Sequence, residues 1–261
     1  MEAGSRVRVE RSDGVAEVTL DHPPLNLFDE SMIEAVIEAI AGLSADPPRA
    51  VLFRAEGDVV SGGVNVEEFQ GLTADQGRAL WTRLMDEVIA PVEALPCPVV
   101  FSSHGLTLTA AFELALACDL LIASESASFG LVEIVVGLTP SMGGPQRLAE
   151  RAGLARAAQL VMTGELFDAT TLERWNVVNE VVPDAELDER SRKLARRLAR
   201  GPTLAHAMTR RILRARSRIG MEEADRVTRE EAGELFASED LIGAVDTFLA
   251  EGPGKARFEG R

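Results

Sequence analysis

Residues 99–123, VVFSSHGLTLTAAFELALACDLLIA, contain two short apolar runs separated by a loop and a segment long enough for a helix. The runs Val99 to Ser102 and Leu120 to Ala123 are mostly aliphatic, and runs of this length between turn signals are typical of buried strands. The segment from Leu106 to Cys118 carries a single charged residue. This order predicts a strand, helix and strand unit of an α/β fold.

The same alternation of strands and helices precedes this unit. Two strands are predicted at Arg6 to Glu10 and Val15 to Leu20, on either side of an Asp-Gly pair that suits a tight turn. A helix at Asp29 to Leu43, with its apolar residues on one face, and a strand at Ala50 to Phe53 complete a βαβ step. A second helix, at Ala74 to Leu95, then leads to the strand that starts at residue 99.

The C-terminal part of the chain has a different character, because apolar residues recur there at helical spacing. Asn176 follows one of these helices, where we expect a left-handed cap residue. The predicted helices are Pro145 to Arg151, Leu154 to Thr163, Ala169 to Trp175, Leu187 to Ala199, Leu204 to Arg218, Met221 to Ser238 and Leu241 to Ala250.

Composition excludes several classes of protein. With 27 Lys and Arg against 42 Asp and Glu, the net charge is −15, which disfavours binding to nucleic acid. The longest uncharged stretch, Ala94 to Phe112, is interrupted by proline and polar residues, so we expect no membrane span. Met1 to Gly14 lacks the apolar core of a secretory signal. Cys97 and Cys118 show no CxxC spacing, and we therefore expect a cytoplasmic protein in a reducing compartment.

Two isolated carboxylates are the most informative chemical feature. Glu113 is the only charged residue from Leu106 to Cys118, and Glu133 is the only one from Ser126 to Gln146. An ionised carboxylate without partners costs several kcal/mol to bury, so each must be hydrogen-bonded, protonated or directed into a cleft. These are the conditions for acid and base catalysis.

The alternative is that both glutamates are structural, capping helices or pairing with Arg147 or Arg151. Signatures that would indicate another chemistry are missing, since the chain has no GxSxG, GxxxxGK[ST], HExxH or GxGxxG motif. Two loops offer backbone N–H groups for an oxyanion. One is His104 to Thr109, which opens the helix that carries Glu113, and the other is Ser61 to Asn65.

Ordered segments along nearly the whole chain resemble the motifs of the enoyl-CoA hydratase/isomerase (crotonase) family. They are Asp21 to Asn26 (DHPPLN, similar to HPPxN), Ser61 to Asn65 (SGGVN, similar to SAGAD), Glu113 to Leu120 (ELALACDL), Phe129 to Glu133 (FGLVE, similar to FGxPE), Gly143 to Leu148 (GGPQRL, similar to GGTQRL) and Arg257 to Arg261 (RFEGR, similar to FxGR).

The resemblance implies an α/β crotonase-like spiral of ββα turns over residues 1–190, which would hold the acyl-CoA site. Residues 191–261 would form a helical region for oligomerisation, giving a homotrimer or a dimer of trimers. The substrate would be an acyl-CoA or enoyl-CoA, with coenzyme A as part of it and with no metal or other cofactor. Apolar residues expected to remain uncovered on the C-terminal helices are Leu194, Leu198, Ile212, Leu235, Phe236 and Phe248.

The resemblance also implies roles for individual residues. Glu113 and Glu133 would be the catalytic pair that hydrates a 2-enoyl-CoA to a 3-hydroxyacyl-CoA, and the backbone N–H groups of Val64 and Ala110 would form the oxyanion hole. Further contacts with coenzyme A or substrate are expected from Asn26, Asn65, Val66 and Ser141.

The chain departs from the family pattern close to these residues. Thr109-Ala110-Ala111 replaces three glycines, Asp58 stands where Lys or Arg usually meets the nucleotide phosphates, and Ser141 replaces a glycine. Cations for the phosphates would then come from the C-terminal tail, from Lys255, Arg257 and Arg261. Two alternatives remain open on the same scaffold: isomerisation or C–C cleavage of a CoA thioester, and an acyl-CoA-binding protein without catalysis.

Overall fold

Nine strands and eleven α-helices form the fold in the computed structural model, which describes residues 6–261. Residues 1–5 lie outside the described residues, and so does this part of the segment Met1 to Gly14 that was predicted to lack a secretory signal. The strands are β1 (Val7–Ser12), β2 (Val15–Leu20), β3 (Ala50–Ala55), β4 (Val99–Ser103), β5 (Leu106–Leu108), β6 (Leu120–Ser124), β7 (Ser128–Gly130), β8 (Phe167–Asp168) and β9 (Glu180–Val182).

The helices follow the predicted order closely. Asn176 has a φ of 62°, as expected for a left-handed cap. The α-helices are α1 (Glu30–Ala45), α2 (Ala74–Leu84), α3 (Ala90–Ala94), α4 (Thr109–Ala117), α5 (Gly144–Ala152), α6 (Leu154–Thr163), α7 (Ala169–Arg174), α8 (Leu187–Ala199), α9 (Thr203–Arg218), α10 (Met221–Glu230) and α11 (Glu239–Glu251). Short 3₁₀-helices occur at Val66–Phe69, Glu133–Val136, Asp184–Glu186 and Ala232–Ala237.

A six-stranded sheet with the order β1-β2-β3-β4-β6-β9 forms the centre of the fold. β1 and β2 pair as the predicted antiparallel hairpin, and the other neighbours pair in parallel. Parallel neighbours need crossover connections, and the helices between these strands supply them. The predicted α/β class is therefore confirmed.

A second, three-stranded sheet with the order β5-β7-β8 was not anticipated from the sequence. Its strands have only two or three residues each, which is too short for an alternating hydrophobic pattern to be visible. The sequence also predicts one helix from Ala74 to Leu95, whereas the structure inserts a π-helical turn, Met85–Ile89, between α2 and α3.

Helix α4 lies in the core, and all nine of its residues are buried. Its alanines leave room for close packing, and the ring of Phe112 lies 5.1 Å from that of Phe129 in β7. Cys97 and Cys118 are buried free thiols, as expected for a chain without a disulfide framework. The first catalytic candidate, Glu113, is thus fixed on an element that packing holds on every side.

The C-terminal helices divide into two groups. The expected boundary after residue 190 falls inside α8, which packs Leu187, Ala195 and Ala199 against the central sheet. Leu194 and Leu198 pack against the same cluster, so they do not contribute the uncovered apolar surface expected of them.

Apolar side chains remain exposed on the later helices. Two of the expected residues, Phe236 and Phe248, are 78% and 57% exposed. The other exposed large apolar residues of this region are Leu204, Leu213, Ile219, Met221, Ile242, Val245 and Leu249. Among residues 6–261, no helix combines the length and apolarity that crossing a bilayer requires.

We expect this surface to be covered by other copies of the chain, because exposed apolar side chains concentrated on one group of helices usually mark an interface. Light scattering at micromolar concentration should give three or six times the 28.1 kDa of one chain. Replacing both Phe236 and Phe248 with Glu should dissociate the assembly, whereas Val9→Glu on β1 serves as an exposed apolar control. A monomeric wild-type chain would contradict the prediction.

Candidate active site

A cavity of about 320 Å³ lies where α2, α4 and the loops after β2, β3 and β7 converge. Its walls are mainly aliphatic and aromatic, as in most small-molecule sites. Among residues 6–261, no Lys, Arg or His lines it. The lining residues are Phe28, Glu30, Ile33, Gly62, Val64, Val66, Glu68, Phe69, Leu72, Gln76, Leu80, Trp81, Leu84, Thr109, Ala110, Glu113, Val132, Glu133, Val135, Val136, Leu138, Thr139, Ser141 and Met142.

Glu113 enters the cavity from α4 and is 2% exposed. Its Oε1 atom accepts hydrogen bonds from the N–H groups of Met142, at 2.8 Å, and Gly144, at 2.7 Å. Gly144 begins α5, and a Cβ added there would lie 2.9 Å from Glu113 Cγ and Oε1. Glycine is therefore required at 144 for the helix to approach the carboxyl group this closely.

Burial raises the pKa of Glu113 from 4.5 to about 8, because the carboxylate loses its hydration. The charge of nearby Glu133 raises this pKa further. Hydrogen bonds from the backbone of Gly144, Met142 and Ser141 oppose the shift, since they stabilise the ionised form. Glu113 is therefore mostly protonated at neutral pH.

Glu133 is the first residue of the 3₁₀-helix Glu133–Val136 and lines the same cavity. Its Oε2 atom is buried and has no hydrogen-bond partner among the described residues. Burial raises the pKa of Glu133 from 4.5 to about 7, and its own backbone N–H opposes this shift. An unpartnered carboxyl oxygen directed into an apolar cavity is available to a ligand.

The two arginines considered as structural partners bind elsewhere. Arg147 pairs with Glu93, with 2.8 Å between Arg147 Nε and Glu93 Oε1. Arg151 donates to the backbone carbonyls of Val177, Leu116 and Cys118. Neither guanidinium neutralises the carboxyl groups in the cavity, which contradicts the pairing alternative. The capping alternative holds for Glu113, whose Oε1 accepts from the N–H of Gly144 at the start of α5. Glu133 Oε2 has no partner among the described residues.

Both backbone donors expected of an oxyanion hole line the cavity with the glutamates. Ala110 is the second residue of α4, and N–H groups in the first turn of a helix lack an acceptor within the helix. The N–H of Val64 differs, because it donates to Thr109 Oγ1 at 3.1 Å. The sequence did not predict this contact.

The loop that carries Val64 is held by a buried polar network. Ser61 Oγ donates to the carbonyl of Asn26 at 2.8 Å and accepts from the N–H of Gly63 at 3.0 Å. The side-chain amide of Asn26 donates to the carbonyls of Glu56 and Val59. Asn26 does not line the cavity, so the structure gives it a positioning role, and its direct contact with substrate stays a prediction.

The other expected contact residues occupy two kinds of position. Val66 and Ser141 line the cavity. Asn65 instead caps the 3₁₀-helix Val66–Phe69 by accepting from the N–H of Glu67 at 3.2 Å. Asn26, Asn65, Val66 and Ser141 all stay predicted contacts, and only Val66 and Ser141 line the cavity.

Helix α2 supplies part of the apolar wall of the cavity, a role that the sequence analysis did not predict. Trp81 lines the cavity and packs edge to face against Phe69, with 5.8 Å between the ring centroids. Leu80, Trp81 and Leu84 are the large apolar residues of α2, and their spacing was the only signal of their role.

The comparisons with known proteins agree with these features. The sequence model of enoyl-CoA hydratase/isomerase matches residues 10–260. A short-chain-enoyl-CoA hydratase from Clostridium acetobutylicum is 28% identical over 259 residues, which cover 98% of this chain and 97% of that protein. A carnitinyl-CoA dehydratase from Salmonella heidelberg is 33% identical over 248 residues, 93% of this chain and 92% of that protein.

The fold also matches solved structures. The crystal structure of an enoyl-CoA hydratase from Mycobacterium smegmatis superimposes with a TM-score of 0.89 at 27% identity, covering 97% of this chain and 98% of that one. The expected crotonase-like α/β fold is thereby confirmed.

The raised pKa of Glu113 predicts how stability depends on pH. The unfolded chain ionises this group above about pH 4.5, whereas the folded chain keeps it protonated up to about pH 8, so folding is progressively disfavoured between these values. One pKa unit corresponds to about 1.4 kcal/mol of folding free energy. As the pH rises from 5 to 8, we therefore expect the free energy of unfolding of Glu113→Gln to increase by about 2 to 4 kcal/mol relative to that of wild type.

Urea unfolding of both proteins across this range measures the difference. Glu125→Gln, at an exposed position between β6 and β7, should follow wild type at every pH. A constant difference between Glu113→Gln and wild type would show that Glu113 does not titrate in this window.

Proposed function

Because the chain belongs to the enoyl-CoA hydratase/isomerase family, we propose that it adds water to a 2-enoyl-CoA and forms a 3-hydroxyacyl-CoA. The observation that carries the proposal is the pair of carboxyl groups, Glu113 and Glu133, on one apolar cavity. Both have a raised pKa, so they exchange protons near neutral pH, where acid and base catalysis is most effective.

The pair supplies an acid and a base in one step. Near neutral pH the two groups together hold about one proton, and their titrations belong to the pair. The ionised carboxylate accepts a proton from water as the water oxygen bonds to C3 of the enoyl group. The protonated carboxyl gives its proton to C2. The pair holds one proton before and after the reaction, so the site is restored without a redox change.

The thioester oxygen gains negative charge as water adds to C3. We propose that the backbone at Val64 and Ala110 stabilises this charge, since both residues face the cavity that holds the glutamates. Removing one preorganised donor at such an oxygen typically costs about 3 kcal/mol. Coenzyme A enters only as part of the substrate, and Val66 and Ser141 are the proposed contacts with direct access to it.

Glu113→Gln and Glu133→Gln keep the shape of the side chain and remove the proton transfer. Each should lower kcat for hydration of crotonyl-CoA by about 10² to 10⁴, with acyl-CoA affinity largely unchanged. Loss of the enoyl absorbance measures turnover, and calorimetry measures binding. Glu125→Gln is the matched control at an exposed position.

Full activity in either glutamine variant would assign that glutamate a different role. If wild type moves the double bond of a 3-enoyl-CoA and hydrates no 2-enoyl-CoA, the reaction is isomerisation. If wild type binds acyl-CoA and transforms no thioester, the chain is a binding protein.

The negative charge of Asp58 is expected to weaken binding of the coenzyme A phosphates. Its carboxylate is exposed and pairs with no described cation, and a negative charge near the nucleotide phosphates repels them. In the tail, Arg261 is already paired with Glu239, at 2.9 Å from Arg261 Nε to Glu239 Oε2. Lys255 and Arg257 are exposed and remain the proposed cations for the phosphates.

Asp58→Lys should therefore tighten acyl-CoA binding by about 0.5 to 1 kcal/mol at low salt, and the gain should fade as salt rises. Calorimetric titration at two salt concentrations measures this. Glu38→Lys, on the exposed side of α1, makes the same change in net charge and should leave binding unchanged. Unchanged affinity of Asp58→Lys at low salt would place Asp58 away from the phosphates.

A further inference from the structure

The side chain of Thr109 stands between the two elements that form the oxyanion site. Its Oγ1 accepts the hydrogen bond from the N–H of Val64 at 3.1 Å. Opposite it, a Cβ added at Gly63 would lie 2.8 Å from Oγ1, and Gly63 has a φ of 106°. A side chain at position 63 would therefore collide with the hydroxyl.

The backbone of Thr109 is unusual for its residue type. Its φ is +46°, a left-handed conformation that β-branched residues rarely adopt. Strain of this kind persists only where the surrounding structure imposes it, and it is common at active sites. Thr109 is also 6% exposed and lines the cavity that contains Glu113 and Glu133.

The hydroxyl changes what the cavity offers to a ligand. The Val64 N–H already donates to Thr109 Oγ1, and this hydroxyl oxygen carries a proton of its own. A threonine hydroxyl both accepts and donates, and in the described part of the chain no group accepts the proton of Thr109 Oγ1. That proton is free to be donated into the cavity.

We propose that the Thr109 hydroxyl donates a hydrogen bond directly to the thioester oxygen of the substrate. The Val64 N–H donates to the same hydroxyl oxygen and thereby makes the hydroxyl a stronger donor. This inference rests on the proposed function. Hydrogen bonds in a chain strengthen one another, and an O–H donor to a charged oxygen is short and strong. The inference thus refines the proposed oxyanion site: the Thr109 hydroxyl and the N–H of Ala110 make the two direct contacts to the thioester oxygen, and the Val64 N–H acts through the Thr109 hydroxyl.

If the Thr109 hydroxyl does not contact the substrate, the effect of removing it should be different. If the hydroxyl merely occupies the Val64 N–H and turns away when substrate binds, removing it should help binding or leave turnover unchanged. If the hydroxyl is the donor, removing it should slow the reaction. Thr109→Ala deletes the hydroxyl, and Thr109→Ser keeps it on a smaller side chain, so the two variants separate the alternatives.

The first measurement is hydration of crotonyl-CoA. We expect kcat of Thr109→Ala to fall by about 10², with KM changed less than about fivefold, because the lost contact strengthens as charge develops. Thr109→Ser should retain most of the wild-type kcat. Thermal unfolding of each variant checks that the fold is intact. A Thr109→Ala variant as fast as wild type overturns the proposal.

The second measurement needs no turnover. Cinnamoyl-CoA is a conjugated thioester, and its absorption moves to longer wavelength when its carbonyl oxygen is polarised. Bound to wild type and Thr109→Ser, it should show this red shift, and bound to Thr109→Ala it should lose most of it. An equal red shift in all three proteins overturns the proposal, even if kcat differs.

The two measurements also distinguish failure of the inference from failure of the proposed function. A wild-type red shift that Thr109→Ala loses, without hydration of any enoyl-CoA, supports the Thr109 contact and contradicts the hydratase. Hydration by wild type with an unaffected Thr109→Ala variant contradicts only the Thr109 contact. No binding of cinnamoyl-CoA to wild type contradicts both.

Discussion

The carboxyl group of Glu113 is bound by two backbone N–H groups, those of Met142 and Gly144, where helix α5 begins. This contact joins α4, which packing holds in the core, to the loop that leads into α5. It also satisfies N–H groups near the start of a helix, which have no acceptor within the helix. Ser141, in the same loop, lines the cavity, so the buried carboxyl group helps to position this wall of the site.

Burial gives the glutamates their chemistry as well as their position. Glu30 and Glu68 also line the cavity but are exposed, whereas Glu113 and Glu133 are its buried carboxyl groups. With no cation among the described lining residues, the buried pair cannot both ionise easily. Their pKa values, about 8 for Glu113 and about 7 for Glu133, differ because Glu113 is more deeply buried and also responds to the charge of Glu133. Phe69 and Trp81 belong to the apolar wall of the same cavity.

The other half of the site depends on a tight contact between a loop and a helix. Ser61 and Asn26 hold the loop through buried hydrogen bonds, and Gly63 allows it to approach Thr109. The side chain of Thr109 fits there because Gly63 has no Cβ, which would lie 2.8 Å from Thr109 Oγ1. Thr109, a departure from the family pattern, thus stands opposite Gly63, which keeps the glycine of that pattern.

The sequence alone determined the alternation of strands and helices and identified Glu113 and Glu133. Both follow from local patterns, since hydrophobic periodicity reports which face is buried and an isolated charge in an apolar run must be accommodated. It did not reveal the sheet formed by β5, β7 and β8, whose strands are stabilised by pairing rather than by their own pattern. Nor did it reveal that Thr109 Oγ1 binds the Val64 N–H. Residues 45 positions apart meet there only through packing of the whole fold, and a hydrogen bond depends on fractions of an ångström that no residue pattern encodes.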